Sequence, residues 1–198
     1  MTEDHQPLIL ASSSAYRREL LSRLGVEFSA ISPDVDETPR PNETPAELAA
    51  RLAGSKAETI HIDNPGCVVI GSDQVASLQG LPLGKPGDHA TAVSQLSACS
   101  GKQVQFHTAV SVLGDNGFRA TYTDLTTVQF RALETSEIEA YLLTDKPYDC
   151  AGSFRSEGLG ITLFEAIENR DPTALIGLPL IWLAGALRDA GISLVQST

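Results

Sequence analysis

The order of apolar and polar positions along the chain predicts helices and strands that alternate through the first hundred residues. Strands are expected at three apolar or alternating runs, residues 8–12, 26–32 and 67–78. Helices are expected at five amphipathic or apolar segments, residues 12–25, 44–60, 88–99, 135–144 and 177–191. Two further strand-like segments flank an Asn-Gly pair at residues 116–117, which is typical of a hairpin. This order predicts a mixed α/β fold.

Two of the predicted helices begin with a possible capping box. Thr44 and Glu47 have the required spacing, with a proline at the first helical position between them. Ser136 and Glu139 have the same spacing at the start of the 135–144 helix. We therefore expect a capping box at each of these two helix starts.

Composition and charge narrow the class of protein. Of the 198 residues, 42% are hydrophobic and 20% charged, and no apolar run reaches the ~18 residues that a membrane span requires. Three widely spaced cysteines argue against a disulfide scaffold or a zinc site and for a reducing compartment. The acidic beginning of the sequence has no basic segment typical of a secretory signal. We expect a cytoplasmic protein without a membrane partner.

The formal net charge of −11 disfavours nucleic acid as a partner, because an acidic surface repels the phosphate backbone. A local cluster of Lys and Arg is enough for a small phosphorylated ligand. The four histidines form neither an H-x-x-x-H nor an H-E-x-x-H pattern, so a histidine metal site or a catalytic triad is not supported.

Lys56 is expected on the apolar face of the 44–60 helix. At about 100° per residue, it falls within one arc with Leu48, Ala49, Leu52, Ala53 and Ile60. Such a lysine must extend its ammonium to solvent or meet an anion, and the wheel leaves both open. On the wheel alone, Lys56→Met is expected to leave the fold as stable or more stable.

Asp73 interrupts an apolar strand, since residues 68–70 precede it and Val75 follows. A carboxylate beside a buried strand costs several kcal/mol unless it is paired, protonated or bound to a metal. Lys85 would return alongside Asp73 if residues 79–84 form a hairpin turn. A structural Asp73–Lys85 pair is the alternative to a functional site.

Three further segments carry polar groups suited to a phosphorylated ligand. The sequence SSSAYRR, residues 12–18, opens a helix after a strand, where free N–H groups favour phosphate; ordinary helix capping is the alternative. The loop DVDE, residues 34–37, offers hard oxygen ligands for Mg²⁺ or Mn²⁺, or is a solvated acidic loop. The Gly-rich loop at 151–160 permits a close path around a ligand but does not match a dinucleotide fingerprint.

Seven motifs, in order, resemble the Maf family of nucleoside triphosphate pyrophosphatases over nearly the whole chain. They are LILASSSAYRRELL, VDETP, RLAGSKA, VIGSDQV, LGKP, LSACSGKQVQFHTAVSV, and YDCAGSFRSEG with IENRDPTALIGLPL. The resemblance implies one Maf-type domain over residues 1–198, with an α/β fold, a mixed sheet, and two lobes around a deep cleft as in Maf and ITPase-like proteins.

The resemblance also implies hydrolysis of a nucleoside triphosphate to the monophosphate and pyrophosphate, a divalent cation (Mg²⁺ or Mn²⁺), and a homodimer. By position, Asp73 matches the catalytic acid or base, and Glu37 and Asp73 match metal positions. The phosphate-binding positions are Ser12, Arg17, Lys56 and Lys85. Asp73 either orients or deprotonates the water or holds the metal, and the sequence does not separate these roles.

Base recognition falls on Tyr16, Gln74 and Glu157. The family branch that acts on dTTP and UTP tends to carry G-x-D-T and a Gln in the Gly-rich loop. This chain has GSDQV and GSFRSEG, which resembles the branch that acts on 7-methyl-GTP, although Tyr16 stands where that branch often has Trp. We expect hydrolysis of 7-methyl-GTP to 7-methyl-GMP, a housecleaning of modified nucleotides. The alternatives are a pyrophosphatase for dTTP, UTP or another modified nucleotide, and a nucleotide-sensing regulator of septum formation.

Overall fold

The computed structural model describes residues 6–194, and these form one sheet with helices on both of its faces. The strands are β1 (Leu8–Ala11), β2 (Ser29–Ile31), β3 (Val68–Leu78), β4 (Leu81–Leu83), β5 (Gln103–Leu113), β6 (Arg119–Phe130) and β7 (Phe164–Glu168). The helices are α1 (Ala15–Ser22), α2 (Pro45–Asp63), α3 (His89–Cys99), α4 (Thr135–Asp145) and α5 (Leu180–Asp189). Within this described part, no helix is both long and apolar enough to cross a membrane.

The sheet is mixed, with strand order β2-β1-β3-β5-β6-β7 and β4 paired to β3. β1 pairs in parallel with β2 and β3, whereas all pairs from β3 to β7, and β3 with β4, are antiparallel. The predicted hairpin is the β5–β6 pair, in which Asn116 and Gly117 both have positive φ. The predicted mixed α/β fold is confirmed.

One edge of β3 has a gap in its pairing at the position of Asp73. β5 pairs with β3 over residues 69–78 and so occupies the other edge completely. On the open edge, β1 pairs only up to Gly71 and β4 pairs only from Ala76. Residues 72–75 therefore have no neighbouring strand on that side, which leaves space for a ligand beside a rigid strand. Asp73 lies within β3, inside the strand predicted over residues 67–78.

Gly71 allows α2 to lie directly on β3. A Cβ added at Gly71 would come within 2.2 Å of the Ala53 carbonyl oxygen and 2.6 Å of the Ala57 backbone nitrogen. Only the absence of a side chain permits so close an approach. Because residues on one face of a strand alternate, Asp73 faces the same helix two positions later.

Two large apolar cores lie at opposite ends of the sheet. The first joins β1, α1 and α5 through residues such as Leu10, Leu20 and Leu183. The second joins α3, α4 and β6 through residues such as Leu96 and Leu142. The principal cavity lies between them, as two lobes around a cleft predict.

Two local expectations were wrong, and one strand was not predicted. The N-cap of α4 is Glu134, without a side-chain hydrogen bond, so Ser136 and Glu139 form no capping box. Glu139 instead contacts His89, with Oε2 2.6 Å from Nε2. The strand predicted at 26–32 is reduced to Ser29–Ile31 and is exposed, and β7 was not foreseen from the sequence. The capping box at Thr44 and Glu47 is confirmed.

Candidate active site

All nine residues that the sequence singled out line one cavity of about 840 Å³. These residues are Ser12, Tyr16, Arg17, Glu37, Lys56, Asp73, Gln74, Lys85 and Glu157. They come from the turn between β1 and α1, the start of α1, the loop after β2, α2, β3, the segment after β4 and the Gly-rich loop. The cavity encloses the unpaired edge of β3, so side chains from both faces of that strand reach it.

Lys56 is the centre of a buried charge cluster. Its ammonium lies 2.6 Å from Asp73 Oδ1 and 2.6 Å from Glu37 Oε1. Lys56 and Asp73 are each only 8% exposed, whereas the Glu37 side chain is 60% exposed. The two possibilities that the helical wheel left open are thereby resolved: the lysine meets anions and does not extend to solvent.

Arg17 adds a second cation beside the same carboxylates. Its Nε donates to the carbonyl oxygen of Gly177 at 3.0 Å, and no hydrogen bond from its terminal nitrogens is found among residues 6–194. Burial lowers the pKa of Arg17, while the charges of Asp73 and Glu37 oppose that shift. Burial alone would raise the pKa of Glu37, but the hydrogen bond and charge of Lys56 lower it, so Glu37 stays ionised at neutral pH.

The start of α1 supplies hydroxyl and N–H groups to the cavity. Ser14 is the N-cap and accepts from the Arg17 N–H, and Ser12 Oγ accepts from the Ser14 N–H at 3.1 Å. Ser12 is 5% exposed. The residues that cap α1 therefore also line the cavity. The partial positive charge of a helix N-terminus favours an anion at this turn.

Lys85 reaches the cavity through the hairpin expected from the sequence. β3 and β4 pair from Ala76–Leu83 to Leu78–Leu81, with positive φ at Gln79 and Gly80 in the turn. The ion pair of Asp73 is nevertheless formed with Lys56, and the alternative Asp73–Lys85 pair is not found in the described part of the chain. The charge of Lys85 contributes to lowering the pKa of Glu37.

The other end of the cavity is aromatic and includes the Gly-rich loop. Burial raises the pKa of Tyr16, and its hydroxyl lies 3.9 Å from Cys150 Sγ. A hydrogen bond with Tyr16 raises the pKa of Arg155, whose Nη2 also donates to the Asp145 carbonyl oxygen at 3.1 Å. Glu157 is exposed, and its Oε2 accepts from Ser156 Oγ at 2.9 Å. Tyr16 and Glu157 thus offer an aromatic face and a carboxylate to the same cavity.

Cys150 also lines this cavity, although the sequence did not single it out as a site residue. Burial raises its pKa to about 12. The thiol is therefore protonated at neutral pH and lacks the thiolate that nucleophilic catalysis requires.

Gln74 lies on the opposite face of β3 from Asp73 and is held by the chain segment before α5. Its Nε2 lies 2.9 Å from Thr108 Oγ1, 3.0 Å from the Ala174 carbonyl oxygen and 2.9 Å from that of Leu175. Ser72 also contacts this segment, through a 3.0 Å hydrogen bond to the Gly177 carbonyl oxygen. Sequence reasoning missed these supporting contacts, because main-chain carbonyl groups have no sequence signature.

The carboxylates of Glu37 and Asp73 fit a small divalent cation. Among residues 6–194, no group of three or more His, Cys, Asp or Glu side chains is arranged to hold a metal ion by itself. Mg²⁺ is commonly bound by only one or two carboxylates together with substrate phosphates and water. Two carboxylate oxygens that both contact Lys56 Nζ satisfy that requirement.

The sequence profile of the family described as Maf-like protein matches residues 7–190. A 7-methyl-GTP pyrophosphatase from Xanthomonas oryzae pv. oryzae (strain MAFF 311018) is 58% identical over 188 residues, which cover 94% of this chain and 98% of the relative. A protein of the same name from Polaromonas sp. is 54% identical over 195 residues, which cover 98% of this chain and 89% of that one. Among solved structures, the Ham1 protein of Staphylococcus aureus has a TM-score of 0.44 and 16% identity, covering 64% of this chain and 72% of that one.

Proposed function

The chain belongs to the Maf family, and from that premise we propose that it hydrolyses 7-methyl-GTP to 7-methyl-GMP and pyrophosphate. The observation that carries the proposal is the contact of Glu37 and Asp73 with one buried lysine, inside a cavity that also contains Arg17 and Lys85. A nucleotide-binding fold without turnover needs cations for the phosphates. It does not need a buried carboxylate beside them, because an anion repels the triphosphate.

Asp73 is the residue proposed to act on the reacting water. Attack at the α-phosphorus requires a group that orients the water or accepts its proton while pyrophosphate leaves. Asp73 is fixed on a rigid strand, is 8% exposed and borders the gap in the sheet edge. Its position supports two roles equally, acceptance of a proton from the water and binding of the divalent cation, and the proposal includes both.

The cations of the cavity are proposed to bind the triphosphate. Negative charge spreads over the phosphoryl oxygens in the transition state and is stabilised by fixed positive groups. Arg17 is oriented by its bond to Gly177 and presents its remaining N–H groups as a planar fork. Ser12 and the N-terminus of α1 add neutral donors beside it.

Glu37 and Asp73 are the proposed holders of Mg²⁺ or Mn²⁺. When bound, such a cation supplies additional positive charge against the phosphoryl oxygens. Lys56 balances the same two carboxylates within the protein itself. Its flexible stem allows the ammonium to contact a phosphate in exchange for a carboxylate.

Base recognition is assigned to Tyr16, Gln74 and Glu157. Guanine presents two neighbouring donors, N1–H and the exocyclic amine, and a carboxylate can accept from both. Methylation at N7 makes the ring cationic, which favours Glu157 and adds cation–π attraction to Tyr16 of roughly 0.5–2 kcal/mol. Thymine and uracil would place carbonyl oxygens against the carboxylate instead.

A substrate panel tests the proposal. Pyrophosphate release is measured for 7-methyl-GTP, GTP, dTTP and UTP, each with Mg²⁺, with Mn²⁺ and with a chelator. We expect the highest kcat/KM for 7-methyl-GTP and loss of activity in chelator. A higher kcat/KM for dTTP or UTP would support the other branch, and tight binding without turnover would support the regulator. The homodimer and the cytoplasmic location stay predictions.

A further inference from the structure

The side-chain amide of Gln74 is surrounded by acceptors on one side. The two carbonyl oxygens of Ala174 and Leu175 can only accept hydrogen bonds. The third neighbour, Thr108 Oγ1, donates its own hydrogen to the Ala174 carbonyl oxygen at 2.9 Å. Toward Gln74 the Thr108 hydroxyl can therefore act only as an acceptor.

These contacts fix which way the Gln74 amide points. An amide turned by 180° would place its oxygen against two carbonyl oxygens, so the NH₂ group must face this side, where its two hydrogens are shared among Thr108 Oγ1 and the two carbonyl oxygens. The carbonyl oxygen of Gln74, Oε1, then points away from this support. No hydrogen bond to Oε1 is found within residues 6–194, and the half-buried Gln74 lines the cavity.

A fixed acceptor at this position distinguishes nucleobase edges. Guanine offers N–H donors on its Watson–Crick edge, which an amide oxygen can accept. Thymine and uracil offer two carbonyl oxygens beside a single N–H, and an amide that could rotate would present its NH₂ to them. The orientation of the Gln74 amide thus decides whether this residue favours a donor edge or an acceptor edge.

We propose that Thr108 is a positioning residue for base selection, which accepts from the Gln74 amide and also holds the Ala174 carbonyl oxygen, so that the Gln74 oxygen stays directed toward the base. Thr108 is completely buried on β5 and does not line the cavity, so it contributes only through Gln74 and the Ala174 segment. The inference rests on the proposed function and extends it by one residue that touches no substrate.

The test compares Thr108→Val, which removes the hydroxyl at nearly constant volume, with Thr108→Ser, which keeps it. The readout is the guanine preference, defined as kcat/KM for 7-methyl-GTP divided by kcat/KM for dTTP. Thr108→Val removes two hydrogen bonds, the one from Gln74 and the one to Ala174, and the first bears directly on the amide. One such bond is worth about 0.5–1.5 kcal/mol, so Thr108→Val should reduce the guanine preference about 3- to 10-fold. Thr108→Ser should keep it within about 2-fold of wild type, since the hydroxyl is retained.

Two controls separate positioning from general damage. Ser111→Ala removes another buried hydroxyl of β5, one without a hydrogen-bond partner among residues 6–194, and should leave the guanine preference unchanged. In a Gln74→Ala background, Thr108→Val should have no further effect on the guanine preference, because its route to the base is absent. If Thr108→Val does not fold, Thr108→Ala carries the same comparison.

Failure of this inference can be distinguished from failure of the proposed function. A wild-type enzyme that prefers dTTP rejects the proposed substrate, whereas a Thr108→Val shift that vanishes in Gln74→Ala still supports positioning. An unchanged guanine preference in Thr108→Val overturns the inference, as does a shift of equal size with and without Gln74. If turnover is too slow, calorimetric dissociation constants of the same two nucleotides give the corresponding preference in binding, which Thr108→Val should reduce in the same direction.

Discussion

Replacement of Lys56 by Met is expected to destabilise the protein, because it leaves Asp73 buried without its cation. The ammonium contacts Asp73 and Glu37 at 2.6 Å each, and Asp73 is 8% exposed. Removing one partner of a fully buried ion pair costs about 3–5 kcal/mol. The Glu37 side chain is 60% exposed, and Asp73 borders a cavity that water can enter, so the cost should be smaller.

We therefore expect a loss of about 2–3 kcal/mol for Lys56→Met, between the values for exposed and fully buried pairs. For a chain of this length that corresponds to a fall in Tm of about 4–12 °C. The assay is thermal and urea unfolding at pH 7 without added metal. Lys102→Met is the matched control, because Lys102 is exposed, and it should change stability by less than ~0.5 kcal/mol.

A double-mutant cycle identifies the cause. In an Asp73→Asn background no buried carboxylate remains beside Lys56, so Lys56→Met should cost less than ~1 kcal/mol there. Equal costs in the two backgrounds, or a Lys56→Met protein as stable as wild type, would refute the reasoning. The latter result is the one that the helical wheel alone predicts.

Three further substitutions test the role of Asp73, the recognition of the base, and the packing of α2 on β3. Asp73→Asn should fold, since Lys56 keeps Glu37 as a partner, and lose turnover by at least ~100-fold in a pyrophosphate-release assay; near-native activity would exclude the proposed role. Glu157→Gln should reduce the preference for 7-methyl-GTP over dTTP roughly 10-fold, because an amide has one acceptor and no charge; an unchanged ratio of kcat/KM would show that Glu157 does not read the base. Gly71→Ala should destabilise the protein by more than ~3 kcal/mol in urea unfolding, because the added Cβ meets backbone atoms of α2. Gly54→Ala is the control, because a Cβ at that position meets nothing within 4 Å. Equal stability of the two variants would contradict the packing argument.

The amphipathic pattern and capping signals of α2 were sufficient to predict its start and the inward position of Lys56. The strong local signal arises because Thr44, Glu47 and a proline act within one turn. The partners of Lys56 were beyond such reasoning, because Glu37 and Asp73 come from a loop and a strand that tertiary packing brings together. Without those anions, the expected effect of Lys56→Met had the opposite sign.

The strand that carries Asp73 was predicted, but its relation to the sheet edge was not. Only pairing registers show that β1 ends at Gly71 and β4 begins at Ala76. The support of Gln74 was equally hidden, since it depends on the carbonyl groups of Ala174 and Leu175 and on a threonine in the adjacent strand β5. Ordered motifs indicated which residues meet in the cavity, while long-range hydrogen bonds determine how they are oriented.

The most direct test of the central claim is hydrolysis of 7-methyl-GTP in H₂¹⁸O, with mass analysis of both products. Water attack at the α-phosphorus, directed from the Asp73 side of the cavity, predicts one ¹⁸O atom in 7-methyl-GMP and none in the pyrophosphate. Asp73→Asn should form labelled 7-methyl-GMP at least ~100-fold more slowly. Label in pyrophosphate, release of orthophosphate as the primary product, or unimpaired labelling by Asp73→Asn would contradict the account.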